Sequence, residues 1–150
     1  MEKKIRPVFR LCEEKDLPAV MALDGEAFFA PWSRDTWQRE LQNRIAVWIV
    51  AELENQIAGY AGICNVAGQA QVMRVAVKKT MRNQGLGLLL TTELIHKAWD
   101  AGAEAVTLEV RESNIAAQTV YERCGFVSKG VRPDYYEDTH EGAVIMWLYR

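Results

Sequence analysis

Hydrophobic positions along the chain recur with two periods, and the switches between them mark the elements. Val8 to Leu11 is a short apolar run that predicts a first strand. Asp16 stands where it can N-cap a helix, with Pro18 tolerated in the first turn. Leu17, Val20, Met21, Leu23, Ala27 and Phe28 follow at three-to-four spacing and predict its buried face, which Gly25 weakens. Pro31-Trp32-Ser33 interrupts the pattern, and Ser33 predicts the cap of a second helix through Trp37 and Leu41. Ile45 to Leu53, rich in Val, Ile and Trp, reads as a strand. Glu54-Asn55-Gln56 turns it into Ile57 to Val66, and Gly68-Gln69 turns again into Gln71 to Lys78. Three strands joined by short turns form an antiparallel meander.

Beyond Lys78 the period becomes helical. Leu86, Leu90, Leu94 and Ala98 line one face, and Gly102 stands where that helix stops. Ala105 to Val110 is the next strand. Ser113 or Asn114 caps a helix that runs to Cys124, with Gly125 ending it. Phe126 to Val131 and Ala143 to Tyr149 complete the order β-α-α-β-β-β-α-β-α-β-β. The expected class is α/β (α+β): a mixed, mainly antiparallel central sheet of about seven strands, with helices on both faces. Nothing in residues 1–150 divides the chain, so one domain is expected.

Composition narrows the function classes. The net charge of −2 and the scattered Lys and Arg leave no basic stripe for nucleic acid. Cys12, Cys64 and Cys124 are odd in number and widely spaced, and the histidines are His96 and His140 alone, so no metal or disulfide framework is expected. Glu2, Lys3 and Lys4 are followed by no apolar run, so a secretory signal is not expected, and no apolar stretch approaches a membrane span. A cytoplasmic, soluble chain is the expectation.

The candidate chemistry begins at the turn from strand to helix. Arg82-Asn83-Gln84-Gly85-Leu86-Gly87 joins the third meander strand to the helix that follows. Its glycines let the backbone approach a ligand, and the free amides and positive dipole end of the helix form an anion site. Arg82 can add a charge-assisted phosphate contact. The dinucleotide fingerprint fails, because position 90 is Leu90 rather than a small residue, and no Walker loop is present. A plain glycine turn stays open beside the pyrophosphate cradle. Glu109 sits in an apolar run, Ala105 to Val110, so it must be paired, hydrated or functional; exposure or pairing with Arg111 is the alternative.

The loop resembles the Gln/Arg-x-x-Gly-x-Gly/Ala signature of the GCN5-related N-acetyltransferases. The likeness extends over nearly the whole chain. Pro31-Trp32-Ser33, Leu108-Glu109-Val110-Arg111 with Ser113-Asn114, Tyr121-Glu122 with Gly125-Phe126, and Arg132 with Tyr135-Tyr136 are similar to the bacterial ribosomal-protein alanine N-acetyltransferases. The resemblance implies acetyl-CoA as cosubstrate, with its pyrophosphate on Arg82, Asn83, Gln84, Gly85, Leu86, Gly87 and Leu88. It implies the pantetheine arm on the backbone of Val75, Ala76 and Val77, with Asn114 as a further cofactor contact. Glu109 becomes the candidate base, direct or through water, and Tyr121 the candidate acid. Trp32, Arg132, Tyr135 and Tyr136 become candidate acceptor contacts.

The implied acceptor is a protein N-terminus, that of small-subunit ribosomal protein eighteen foremost. Another N-terminus, a lysine or a small amine stays open within the family, as does a non-catalytic acyl-CoA-binding module. For the residues read by themselves, helix capping by Asn114, packing by Tyr121 and an ordinary buried strand at 75–77 are equally available. An α-amine, with an ordinary pKa of about 7.7–8.0, needs only a modest base, which favours an N-terminal acceptor over a lysine at about 10.4. Two positions depart from the family pattern. Gly142 stands where a second carboxylate beside Glu141 is common, and Arg74 replaces a small polar residue, which reads as surface variation. Glu137, Asp138 and Glu141 give the last loop an acidic character suited to a cationic N-terminus.

Overall fold

Seven strands and four helices, in the predicted order, make up the computed structural model, which describes residues 5–150. The charged stretch Glu2, Lys3 and Lys4 lies outside the described residues. Strand β1 spans Val8–Leu11, followed by helices α1, Leu17–Ala27, and α2, Arg34–Leu41. The meander is β2, Ala46–Leu53, β3, Gln56–Val66, and β4, Gln69–Val77. Then come α3, Leu86–Asp100, β5, Ala105–Arg111, α4, Ile115–Arg123, β6, Val127–Arg132, and β7, Ala143–Tyr149. The sheet order is β1-β2-β3-β4-β5-β7-β6; β4 and β5 pair in parallel and every other neighbour is antiparallel. This is the mixed, mainly antiparallel sheet that the periodicity predicts. No helix among the described residues is long and apolar enough to cross a membrane.

Each face of the sheet buries its own helices. On one face Leu86, Leu90, Leu94 and Ala98 of α3, the four positions read from the sequence, pack on Ile49, Ile63, Val106 and Leu108. On the other, Leu17, Val20 and Leu23 of α1 and Trp37 of α2 pack on Trp48, Val50, Tyr60 and Ala76. Trp32, Trp37 and Trp48 meet edge to face, with centroids 4.8 to 5.5 Å apart, a geometry that adds to plain area burial. Ser33 caps α2 as expected, accepting from the Thr36 amide at 3.2 Å.

Asp16 corrects one expectation. It occupies the position before α1, but a 3-10 turn over Glu14–Asp16 leads into the helix and its side chain caps nothing in α1. The carboxylate instead takes both arms of Arg10 at 2.7 Å and the Glu13 amide at 2.8 Å. A bidentate guanidinium is the stronger partner, and it holds the Asp16 carboxyl below the usual carboxylate range. On α1, Met21 and Ala27 are only partly buried and Phe28 lies past the helix end, while Asp24 goes fully inside together with Leu17 and Val20.

A bulge in β4 positions everything that follows. Opposite β3, Arg74 pairs with Gly62 and Val72 with Ile63, leaving Met73 as an extra residue. Ala70 and Val72 therefore face α3, whereas Arg74 and Ala76 face α1, although all four share one parity in the sequence.

Candidate functional site

Strands β4 and β5 stay together only briefly. They pair at Gln69–Ala105, Ala70–Val106 and Gln71–Thr107, and then separate. A V-shaped gap opens with Val72 to Val77 on one side and Leu108 to Arg111 on the other. The Lys78 amide donates to the Ala58 carbonyl of β3 at 2.7 Å. Backbone alternation then turns Arg74 and Ala76 toward β3, and aims the amides of Val75 and Val77 into the gap. Such unpaired strand amides bind an extended amide-bearing chain.

The glycine loop closes the wide end of this gap. After a 3-10 turn at Lys79–Met81, Asn83 and Gly85 take φ of 64° and 87°. Gly85 is the cap residue of α3 and supplies no side-chain hydrogen bond. The first bond inside the helix runs from the Leu89 amide to the Gly85 carbonyl at 3.1 Å, so the amides of Leu86, Gly87 and Leu88 are left for an anion. Arg82 is exposed, and its Nε donates to the Val77 carbonyl at 3.2 Å, which ties its charge to the same rim. The arrangement fits a pyrophosphate followed by a pantetheine amide chain. A β-branched residue at position 85 is strained by about 1–2 kcal/mol in the left-handed region. Gly85→Val is therefore expected to raise the KM for acetyl-CoA about tenfold, at about 1.4 kcal/mol per decade, with kcat nearly kept. Steady-state kinetics with varied cosubstrate check it.

Glu109 stands at the apex of the V. It is half-buried on the α1 face of β5, and both its oxygens lie near Gln71 Nε2, at 3.2 and 3.4 Å. Arg111 is not its partner. That guanidinium is held by Asp138 at 2.8 Å and Glu141 at 3.2 Å, and lies 4.0 Å from the centre of the Tyr136 ring. Burial pushes the Tyr136 phenol up to about 12, with the Glu109 charge among the lesser causes.

Tyr121 packs against the core on the α3 side of the sheet, the face opposite Glu109. The chain end of α4 fixes it: the Phe126 amide donates to the Tyr121 carbonyl at 3.0 Å, the Gly125 amide to that of Glu122, and the Tyr121 and Phe126 rings meet edge to face at 5.8 Å. Burial first, then neighbouring Cys124 and Tyr136, raise the Tyr121 phenol to about 12. Asn114 caps α4, its Oδ1 accepting from the Ala117 amide at 3.1 Å, so the capping reading is realised while its Nδ2 donors make no hydrogen bond within the described residues.

Two loops flank the α1 face of the gap. In the first, Arg74 is no surface variation: it is 12% exposed, pairs with the fully buried Asp24 at 2.6 Å, and lies over the rings of Phe28 and Trp32 at 4.4 and 4.3 Å. Trp32 is half-buried in the aromatic cluster, with its amide on Asp24 at 2.7 Å. In the second, Tyr135 and Tyr136 contact each other with centroids at 5.0 Å, and exposed Arg132 lies 5.6 Å from the Tyr135 ring.

The acidic character expected of this second loop is largely spent on Arg111, which takes both Asp138 and Glu141 and leaves Glu137 alone outside the pair. Gly142 is buried, and a Cβ there would meet the Glu112 carboxylate and lie 3.0 Å from the Arg132 carbonyl. A side chain at that position requires Glu112 and Val131 to move aside.

Asp24, Tyr60 and Gln71 escape the sequence reading. Asp24 carries a signal, since it lies at an inward position seven residues after Leu17; Gln71 reveals itself only through the pairing of β4 with β5.

Comparison with known proteins bears on this geometry. The model of the acetyltransferase (GNAT) family matches residues 17–126. A Bacillus subtilis (strain 168) relative, named provisionally a ribosomal protein bS18-alanine N-acetyltransferase, is 34% identical over 146 residues, 97% of each chain. The crystal structure of the Escherichia coli ribosomal-protein-S18-alanine N-acetyltransferase superposes with a TM-score of 0.87 at 32% identity, covering 96% of this chain and 94% of that one. The fold is also that of yncA from Salmonella typhimurium, solved with acetyl-CoA, at a TM-score of 0.86 and 17% identity, over 96% and 94% of the two chains.

Proposed function

The chain belongs to the GNAT acetyltransferase family and is an acyltransferase, and from that premise we propose that it acetylates the N-terminal alanine of ribosomal protein bS18 with acetyl-CoA, in the cytoplasm. The observation that carries the reading is the V-shaped gap, which the amides of Val75 and Val77 enter from β4 and whose apex the Glu109 carboxylate adjoins beside Gln71. Acetyl-CoA supplies a thioester whose carbonyl carbon is open to an amine. The first turn of α3 holds its pyrophosphate, with Arg82, Asn83 and Gln84 at the rim, and Val75 to Val77 hold its arm. An amide of that strand polarises the carbonyl as negative charge develops on oxygen.

Glu109 takes the proton from the attacking α-amine, directly or through one water, as the C–N bond forms. An α-amine has an ordinary pKa of about 7.7–8.0, so the transfer is a short one. Tyr121 donates to the sulfur as the C–S bond breaks. Its raised phenol, at about 12, keeps the donor protonated over the working range. Trp32, Tyr135 and Tyr136 stand on the two loops flanking the acceptor's path, with Arg132 at the end of β6 beside the second. The naming of the 32–34% identical relatives supports the choice of acceptor. A panel of free-amine peptides and small amines, read by mass spectrometry, tests it: a bS18 N-terminal peptide gains one acetyl group on its α-amine. Modification of lysines or small amines alone rejects the reading.

Tyr121→Phe is expected to lower kcat about a hundredfold with little change in the KM for acetyl-CoA. The sign of the pH effect follows from which form acts. The phenol works protonated, so a raised pKa widens the active window upward. In the parent, kcat/KM rises through the amine titration near about 8 and stays level past the ordinary tyrosine value of about 10. An alkaline fall below that value speaks against Tyr121 as the donor.

A further inference from the structure

Deepening the N-terminal acetylation reading and resting on it, we propose that Arg74 determines which acceptors the site takes. Stacked on Phe28 and Trp32 and anchored on Asp24, its guanidinium forms a fixed wall beside the approach to Glu109, which admits small first residues such as alanine or serine and turns away larger ones.

The bulge at Met73 puts Arg74 on the face that carries Gln71 and Glu109, immediately before the strand segment whose amides enter the gap. Its guanidinium is held by two acceptors and two aromatic rings. One arm donates to Asp24 at 2.6 Å and another to the Ala30 carbonyl at 3.1 Å. The planar carbon lies 4.4 Å from the Phe28 ring centre and 4.3 Å from that of Trp32. Asp24 also takes the Trp32 amide at 2.7 Å and the Tyr60 hydroxyl. Phe28, Ala30 and Trp32 are thus tied to one buried ion pair at three points along the loop, which cannot withdraw without breaking it. Across the opening stand Tyr135 and Tyr136, themselves held by backbone bonds to the Glu141 carbonyl at 3.1 and 3.2 Å. A long first side chain has to displace a paired, stacked cation to sit beside the reacting amine. Lysine cannot reproduce the wall, because an ammonium offers neither the plane nor the fork of the guanidinium.

The test uses the full chain, acetyl-CoA, and four peptides identical except for Ala, Ser, Met or Leu at the first position. The parent is expected to prefer Ala and Ser by at least about tenfold in kcat/KM, the scale on which a shaped pocket separates side chains by size. In Arg74→Lys and in Phe28→Ala that preference falls about tenfold, through the peptide KM, while the KM for acetyl-CoA stays within about twofold. Phe28→Ala keeps the Arg74–Asp24 pair and carries the test by itself if Arg74→Lys does not fold. A parent that acetylates all four peptides alike, or variants that keep the parent's preference, overturn the wall and leave N-terminal acetylation standing. A parent that acetylates none of them removes the acetylation reading, and the wall with it.

Discussion

Glu109→Gln is expected to lower kcat for the peptide acceptor by about 10²–10⁴, the range over which a positioned base contributes. The substitution keeps size and shape at the apex of the gap, and the amides of Val75 and Val77 are untouched, so the KM for acetyl-CoA should hold. Arg111 does not take over or go unpaired, since Asp138 and Glu141 already hold it at 2.8 and 3.2 Å. The defect should also shrink as pH rises. Below about pH 8 the acceptor amine is mostly protonated and needs a base; above it, solvent has already removed the proton. Plotting the parent-to-variant ratio of kcat against pH reads this directly. A variant within about threefold of the parent at neutral pH, well under the usual contribution of a base, takes Glu109 out of the chemistry. A uniform loss at every pH assigns it instead to positioning.

The largest stability effect is expected at Asp24. It is fully buried, and Arg74, the Tyr60 hydroxyl and the Trp32 amide all donate to it. Burial and the bond to this carboxylate hold the Tyr60 phenol well above its ordinary value. Asp24→Ala leaves a nearly buried guanidinium without its counter-charge and two further donors without an acceptor. Removing one side of a buried pair costs about 3–5 kcal/mol, because the remaining charge is stranded away from water. For a chain of this size that lowers Tm on the order of 10 °C. Replacing both charges, as Asp24→Leu with Arg74→Met, should recover part of the loss, since two apolar chains need no counter-charge. Thermal and urea unfolding of the single and double variants measure the difference. A single variant within about 1 kcal/mol of the parent, the level of an exposed pair, shows that the carboxylate does not hold the loop.

These two sites differ in how far the chain's own pattern reveals them. Glu109 is legible because a lone carboxylate in an apolar strand has to be accounted for. The glycine loop is legible as an anion site because its chemistry is local: Gly85, at φ 87°, and the first amides of α3 are neighbours in the chain. The Asp24–Arg74 pair is not legible in that way. Its members are fifty residues apart, and strict alternation along β4 places Arg74 on the face of Ala70 and Val72. One extra residue, Met73, reverses that assignment.

The chain's own pattern determines its elements, their order, the mixed sheet, and the loop that fits a pyrophosphate. Each rests on side-chain burial or backbone geometry within a few residues, so short-range periodicity carries it. The tertiary structure alone decides where the charges go. Arg111 is taken from Glu109 by a distant loop, Asp16 is drawn from its helix by Arg10, and Arg74 is turned inward onto Asp24. An ion pair forms with whichever partner the closed sheet brings within reach. That choice depends on bulges, pairing registers and loop paths, which a linear pattern of polar and apolar residues does not encode.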